Sequence, residues 1–92
     1  MQAKIWNYSV WIQETNPQKI KEKFDELLNK SGFDVLDIME YYFKPYGYTC
    51  IWLLGESPCA VHTFPEHQKS YIELSSCNLE FYKNFLELTE KL

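Results

Sequence analysis

The sequence predicts an α+β fold, a two-layer sandwich in which an antiparallel sheet carries two helices on one face. Three observations predict it. Apolar residues alternate with period two in several short stretches. Two longer stretches carry apolar residues at helical spacing behind an Asn cap. The pieces follow one another as β-α-β-β-β-β-α with short, turn-rich joints, which favours hairpins over parallel crossovers.

Ile5 to Gln13 reads as the first strand, with Trp6, Tyr8, Val10 and Ile12 on one face and Asn7 and Ser9 on the other. Asn16 then Pro17 starts a helix: Asn caps, and Pro suits the first helical position because its missing N–H is not needed there. Ile20, Phe24, Leu27 and Leu28 form the apolar stripe, and Gly32 ends the helix with an expected positive φ. Val35 to Phe43 is the second strand, and Lys44-Pro45-Tyr46-Gly47 is a turn. Tyr48 to Leu54, apolar on both faces, is expected to be the central strand. Gly55 to Pro58 interrupts the chain. Cys59 to Phe64 and Ser70 to Ser75 are two more extended pieces, separated by Pro65-Glu66-His67. Asn78 caps a last helix whose Leu79, Tyr82, Phe85, Leu86 and Leu92 fall near one face.

A length of 92 residues fits one domain, 1–92, whose own core is small. Three Trp, seven Tyr and six Phe make 17% of the chain aromatic, more than such a core can hide, so some rings are expected at an interface or a ligand pocket. The sheet face without helices needs cover, and a second copy of the chain is the simplest source. Net charge is −4 and the nine basic residues are scattered, which argues against nucleic acid. The longest apolar run, Cys50 to Gly55, is too short to span a bilayer, and residues 1–15 lack signal-peptide regions. Cys50, Cys59 and Cys77 form no paired framework and read as reduced thiols in a cytoplasmic protein.

Chemistry-bearing residues concentrate between Tyr42 and Cys77. A zinc site fails on spacing: His62 and His67 flank a proline, and neither Cys59 nor Cys77 has a C-x-x-C partner, so no metal is expected. A serine hydrolase fails because Gly55-Glu56-Ser57-Pro58-Cys59 lacks the second glycine of the nucleophile elbow and no helix follows. Neither a dinucleotide fingerprint nor a P-loop is present. Taken singly, Phe43 reads as core, His62 as a hydrogen-bonded strand residue, Cys77 as a buried small side chain and Glu66 as a solvated turn residue.

Jointly they read differently. Phe43-Lys-Pro45-Tyr-Gly47-Tyr-Thr49, then Glu56-Ser57, then His62-Thr63-Phe64-Pro65-Glu66, then Cys77 resembles the bacterial, pyruvoyl-dependent S-adenosylmethionine decarboxylase family, which reads F-x-P-x-G-x-S, E-S-H, I-H-T-W-P-E and T-C-G with the same gaps. The resemblance covers residues 40–90 well and residues 5–35 by element order alone. It implies a decarboxylase-like sandwich made as a proenzyme, in which Ser57 attacks the carbonyl of Glu56, cuts the chain and becomes a pyruvoyl cofactor. It further implies that His62 takes the proton in the elimination and that Thr49, in place of the family's Ser, helps hold the tetrahedral intermediate. The ketone condenses with the substrate's amine and draws off the electrons left as CO2 departs. Cys77 reprotonates the product carbon, Phe43 stacks on adenine, and Glu66 binds the ribose hydroxyls. The implied partners are a small-molecule substrate, S-adenosylmethionine or a related amino acid, and a second copy in a homodimer. Ser57 and Cys77 of one half meet the Phe, Thr, His and Glu positions of the other. The implied role is in spermidine synthesis.

The chain departs from the family's pattern at Pro58, where His is usual, and at Phe64, where Trp is usual. Trp6-Asn7-Tyr8 stands near the place of a G-x-H-L signature, and the sequence ends at Leu92 where bacterial members usually continue with a strand. These departures motivate a second expectation: a non-processing, catalytically inactive relative that serves as a nucleoside-binding or regulatory subunit.

Overall fold

The computed structural model describes residues 4–55 and 57–92. Its elements run β1 (Trp6–Ile12), α1 (Pro17–Ser31), β2 (Asp37–Tyr42), β3 (Tyr48–Leu53), β4 (Pro58–Phe64), a single 3-10 turn (Pro65–His67), β5 (Lys69–Ser76) and α2 (Leu79–Thr89). The five strands form one sheet in the order β1-β5-β4-β3-β2, and every neighbouring pair is antiparallel. The middle strand is therefore β4 rather than β3, which corrects the expectation for Tyr48 to Leu54. β3 is interior but one place from the edge. Its apolar character on both faces reflects helices on one side and an open, aromatic-rich surface on the other.

Local chemistry sets the helix ends. The Asn16 side chain accepts from the Lys19 N–H at 3.0 Å, and Asn78 accepts from the Phe81 N–H at 3.0 Å. Gly32 closes α1 at φ 111°, and a Cβ there would come within 2.6 Å of the Phe81 ring on α2. Glycine is thus required twice, for backbone conformation and for the approach of the two helices. Asn84 reinforces that approach by donating to the Ser31 carbonyl at 3.0 Å.

Both helices cover the same sheet face. Ile20, Phe24, Leu27 and Leu28 of α1 and Phe85 of α2 pack on Tyr48, Cys50, Trp52, Cys59, Val61, Ile72 and Leu74 of the sheet, with Tyr8, Val10 and Ile12 at the margin. Phe24 is fully buried against Trp52 and Phe85, and removing its ring would cost about 3–5 kcal/mol. Two polar tips are satisfied inside this layer: Trp52 Nε1 donates to Asp25 at 2.6 Å, and the Tyr48 hydroxyl donates to Glu40 at 2.6 Å. Burial pushes the Cys50 thiol up to about 11 and the Cys59 thiol higher still. In α2, by contrast, Leu79 and Leu92 are exposed, while Phe85 and Thr89 are the buried residues. The helix ends at Thr89, so Leu92 lies past the last turn and off the packed face.

Candidate active site

Strand alternation sends the other side chains to the face the helices leave open. Cross-strand pairing aligns Trp11, Tyr71, His62, Thr49 and Tyr41 in one row across all five strands. Thr49 Oγ1 and His62 Nδ1 lie 2.9 Å apart at the centre of this row. Trp11 packs on Phe64 and Tyr71 with ring centroids 5.7 and 5.0 Å away, and the Lys69 ammonium sits 4.7 Å over the Trp11 ring. Trp11, Met39, Tyr41, Phe43, Leu53 and Phe64 are all exposed on or beside this face. Such an apolar surface is larger than scattered exposed residues account for.

Phe43 follows β2. It is half-exposed, with its ring 4.7 Å from that of Tyr41, so it is not a core residue. The backbone turns back immediately, as the Phe43 N–H donates to the Gly47 carbonyl at 2.9 Å and Gly47 takes φ 115°. Glu66 lies in the 3-10 turn after β4 and is exposed. Phe43, the Thr49–His62 pair and Glu66 are therefore grouped toward one end of the sheet.

Ser57 lies at the other end, in the turn between β3 and β4. Its carbonyl accepts from the Leu54 N–H at 2.8 Å, and Gly55 takes φ 82°. Pro58 opens β4 opposite Leu53, and a proline is tolerated at the first residue of a strand. Glu56, the other side of the expected scissile bond, lies outside the described residues. The Ser57 side chain is buried and its Oγ has no hydrogen-bond partner. Extending the β4–β5 pairing by two residues sets Ser57 opposite Ser76, with Cys77 one step beyond. Cys77 is exposed, unlike Cys50 and Cys59.

The expected site residues thus form two groups. His62 lies five residue steps along the strand from Ser57, roughly 16 Å at the usual rise. Direct proton transfer needs about 3 Å. Within one chain His62 does not reach Ser57. Tyr71, the cross-strand neighbour of His62, and Trp11 on the strand beyond it were missed by sequence reasoning, although period two already puts Trp11 on the same face as Asn7 and Ser9. Among the described residues, no three His, Cys, Asp or Glu side chains gather as metal ligands, and no helix is long and apolar enough to cross a membrane.

Comparison with known proteins bears on this arrangement. The family model for S-adenosylmethionine decarboxylase matches residues 12–92. An S-adenosylmethionine decarboxylase proenzyme of Oceanobacillus iheyensis is 28% identical over 75 residues, which are 82% of this chain and 59% of that protein. A proenzyme of Bacillus cereus is 40% identical over 47 residues, 51% of this chain and 38% of that one. The chain thus spans about half the length of the curated relatives it matches. The crystal structure of an adenosylmethionine decarboxylase from Aquifex aeolicus superposes with a TM-score of 0.72 at 18% identity, over 90% of this chain and 72% of that one, and so shares the fold. With the match running over nearly the whole sequence and the fold agreeing, the chain belongs to the S-adenosylmethionine decarboxylase family.

Proposed function

We propose that this chain cuts itself between Glu56 and Ser57 and acts as a pyruvoyl-dependent decarboxylase of S-adenosylmethionine or a related amino acid, on the path to spermidine. It works as a homodimer in which Ser57 and Cys77 of one copy meet Phe43, Thr49, His62 and Glu66 of the other. The observation that carries this reading is the separation of those two groups along a sheet whose open face is aromatic and uncovered. A face-to-face partner running the opposite way along the strands would bring the ends together and cover the exposed rings.

A group made from Ser57 fits the turn, since the hydroxyl is buried and unpartnered and its donor and acceptor are free for reaction. Oγ attacks the Glu56 carbonyl carbon, the C–N bond breaks, and Glu56 is left esterified to the serine. A base then takes the Ser57 Cα proton and Glu56 leaves as a carboxylate. Hydrolysis of the remaining unsaturated residue releases ammonia and leaves the ketone. None of these steps uses the N–H that Pro58 lacks. When formed, the pyruvoyl group supplies an electron sink for the departing CO2.

The partner's His62 suits the base role through its Thr49 bond. With the ring proton on Nδ1, His62 donates to Thr49 Oγ1 and keeps a free lone pair on Nε2. Thr49's own hydroxyl proton then remains available to the oxygen of the tetrahedral intermediate. Phe43 offers an exposed ring to a purine, Glu66 offers acceptors to the ribose hydroxyls, and the exposed Cys77 thiol can return a proton to the product carbon.

Intact-mass spectrometry of the purified protein tests the reading. The expected result is two fragments, the second beginning with a blocked residue 57, and no cleavage in Ser57→Ala. A single uncut species near 11.1 kDa after long incubation would contradict it and favour the non-processing relative.

A further inference from the structure

The sandwich has an opening on its helix side that none of these steps uses. Where the end of β1 meets the first turns of α1 and the end of α2, there is a cavity of about 660 Å³, a size common among small-molecule sites. Ile20 and Phe24, both fully buried, close its bottom. Half-buried Val10 and Ile12 and the exposed Leu92 form apolar walls. Val10 and Ile12 turn toward the helices, so a copy covering the open face of the sheet would leave this cavity accessible.

The rim is basic in an acidic protein. The chain has nine basic residues, all lysine, against thirteen acidic ones, and Lys19, Lys23 and Lys91 line this one cavity. Lys19 and Lys23 stand one turn apart on α1, and Lys91 follows α2. All three are exposed, and the ion pairs among the described residues engage Lys21 and Lys30 instead. The one lining side chain of opposite charge, Glu14, accepts the Thr15 and Asn16 N–H groups at 3.1 Å each, which turns it to the backbone entering α1. An apolar recess under a net positive rim matches one class of ligand. Hydrocarbon displaces water from the walls, and lysine stems lie along it while their ammoniums meet an acidic head. Three separate point charges without a guanidinium fork suit a carboxylate or a phosphate alike. We propose that this cavity binds an amphipathic anion, an acidic head on an aliphatic chain. The chain lies against Val10, Ile12 and Leu92, and the head sits among Lys19, Lys23 and Lys91. The site faces away from the Thr49–His62 pair and does not depend on self-cleavage.

Titration of the full chain with octanoate below its micelle concentration, followed by NMR at the backbone amides of Val10, Ile12, Lys19, Lys23 and Lys91, tests this. Octanoate is expected to shift these amides saturably, octanol to bind about tenfold more weakly, and acetate and octylammonium to leave them unmoved. Octyl phosphate run beside octanoate distinguishes the two acidic heads, and saturable binding of either supports the site. The combined variant Lys19→Gln, Lys23→Gln, Lys91→Gln changes exposed positions only. It should lower the affinity for the acid about tenfold or more and leave that for octanol unchanged, while arginine at the same three positions should keep the wild-type affinity. No saturable shift with either acid, equal affinity for octanol, or an unchanged affinity in the glutamine variant would overturn the proposal. Self-cleavage is read separately by mass, so loss of one result leaves the other standing.

Discussion

At one end of the sheet, Ser57 and Cys77 fall almost opposite each other in register, on the turn before β4 and just after β5. Toward the other, Phe43, the Thr49–His62 pair and Glu66 gather around the turns that join β2 to β3 and β4 to β5. In the proposed reading the first group supplies a nucleophile and a proton donor but no base. The second supplies a base, a hydroxyl and two ligand-binding side chains but no nucleophile. An ordinary strand cannot fold back on itself to close roughly 16 Å, so under that reading neither end is complete alone. A site divided in this way would tie chemistry to assembly.

The comparison breaks most severely at His62. His62→Ala should slow cleavage by about 10²–10⁴-fold if the imidazole is the base, although it lies far from Ser57 within its own chain. Unchanged cleavage in that variant, followed by mass, would show that the distant end takes no part. The covering of the open face comes next. Leu53 is exposed there, and Leu53→Lys should weaken self-association about a hundredfold while leaving the circular-dichroism spectrum and the Phe24–Trp52 core unchanged. A variant that stays as associated as the wild type would remove that face from the interface. Phe43→Ala should lower nucleoside affinity about tenfold through loss of a stacking ring, measurable by calorimetry without cleavage. Thr49→Val should have the smallest effect, about tenfold or less on the cleavage rate, because it removes one oriented hydroxyl and leaves the imidazole in place.

Much of this layout was legible before any coordinates, and the reasons are local. Asn16, Pro17, Gly32 and Asn78 mark helix ends through their own backbone chemistry, and each is found where its chemistry puts it. The alternation of Trp6, Tyr8, Val10 and Ile12 marked the packed face of β1. The order of strands was not legible. Nothing within β5 announces that it, and not β3, will take β1 as its neighbour, since that choice depends on pairing over some sixty residues. Without the order, β3 looked central, whereas the distance from Ser57 to His62 follows from their spacing along one strand. The candidate residues themselves were legible through a family pattern, whereas Trp11 and Tyr71 carry no motif. They became visible only once the pairing placed them on one face. Leu79 and Leu92 show the converse: they fit a helical stripe on paper, but the helix lies on the sheet through Phe85 and Thr89 and leaves both exposed.

The claim that the two ends act together from different copies can be tested by mixing two impaired variants. Ser57→Ala lacks the nucleophile and should not cut, and His62→Ala lacks the base and should cut alone only at its slowed rate, about 10²–10⁴-fold below the wild type. Refolded together, each mixed dimer would hold one complete site, formed by Ser57 of the His62→Ala copy and His62 of the Ser57→Ala copy. Mass spectrometry should then show the His62→Ala chain cut, in about half of its molecules under random equimolar pairing without later exchange, and the Ser57→Ala chain intact. If the wild type cuts itself and the mixture does not, the ends do not meet across two copies and the divided site is wrong.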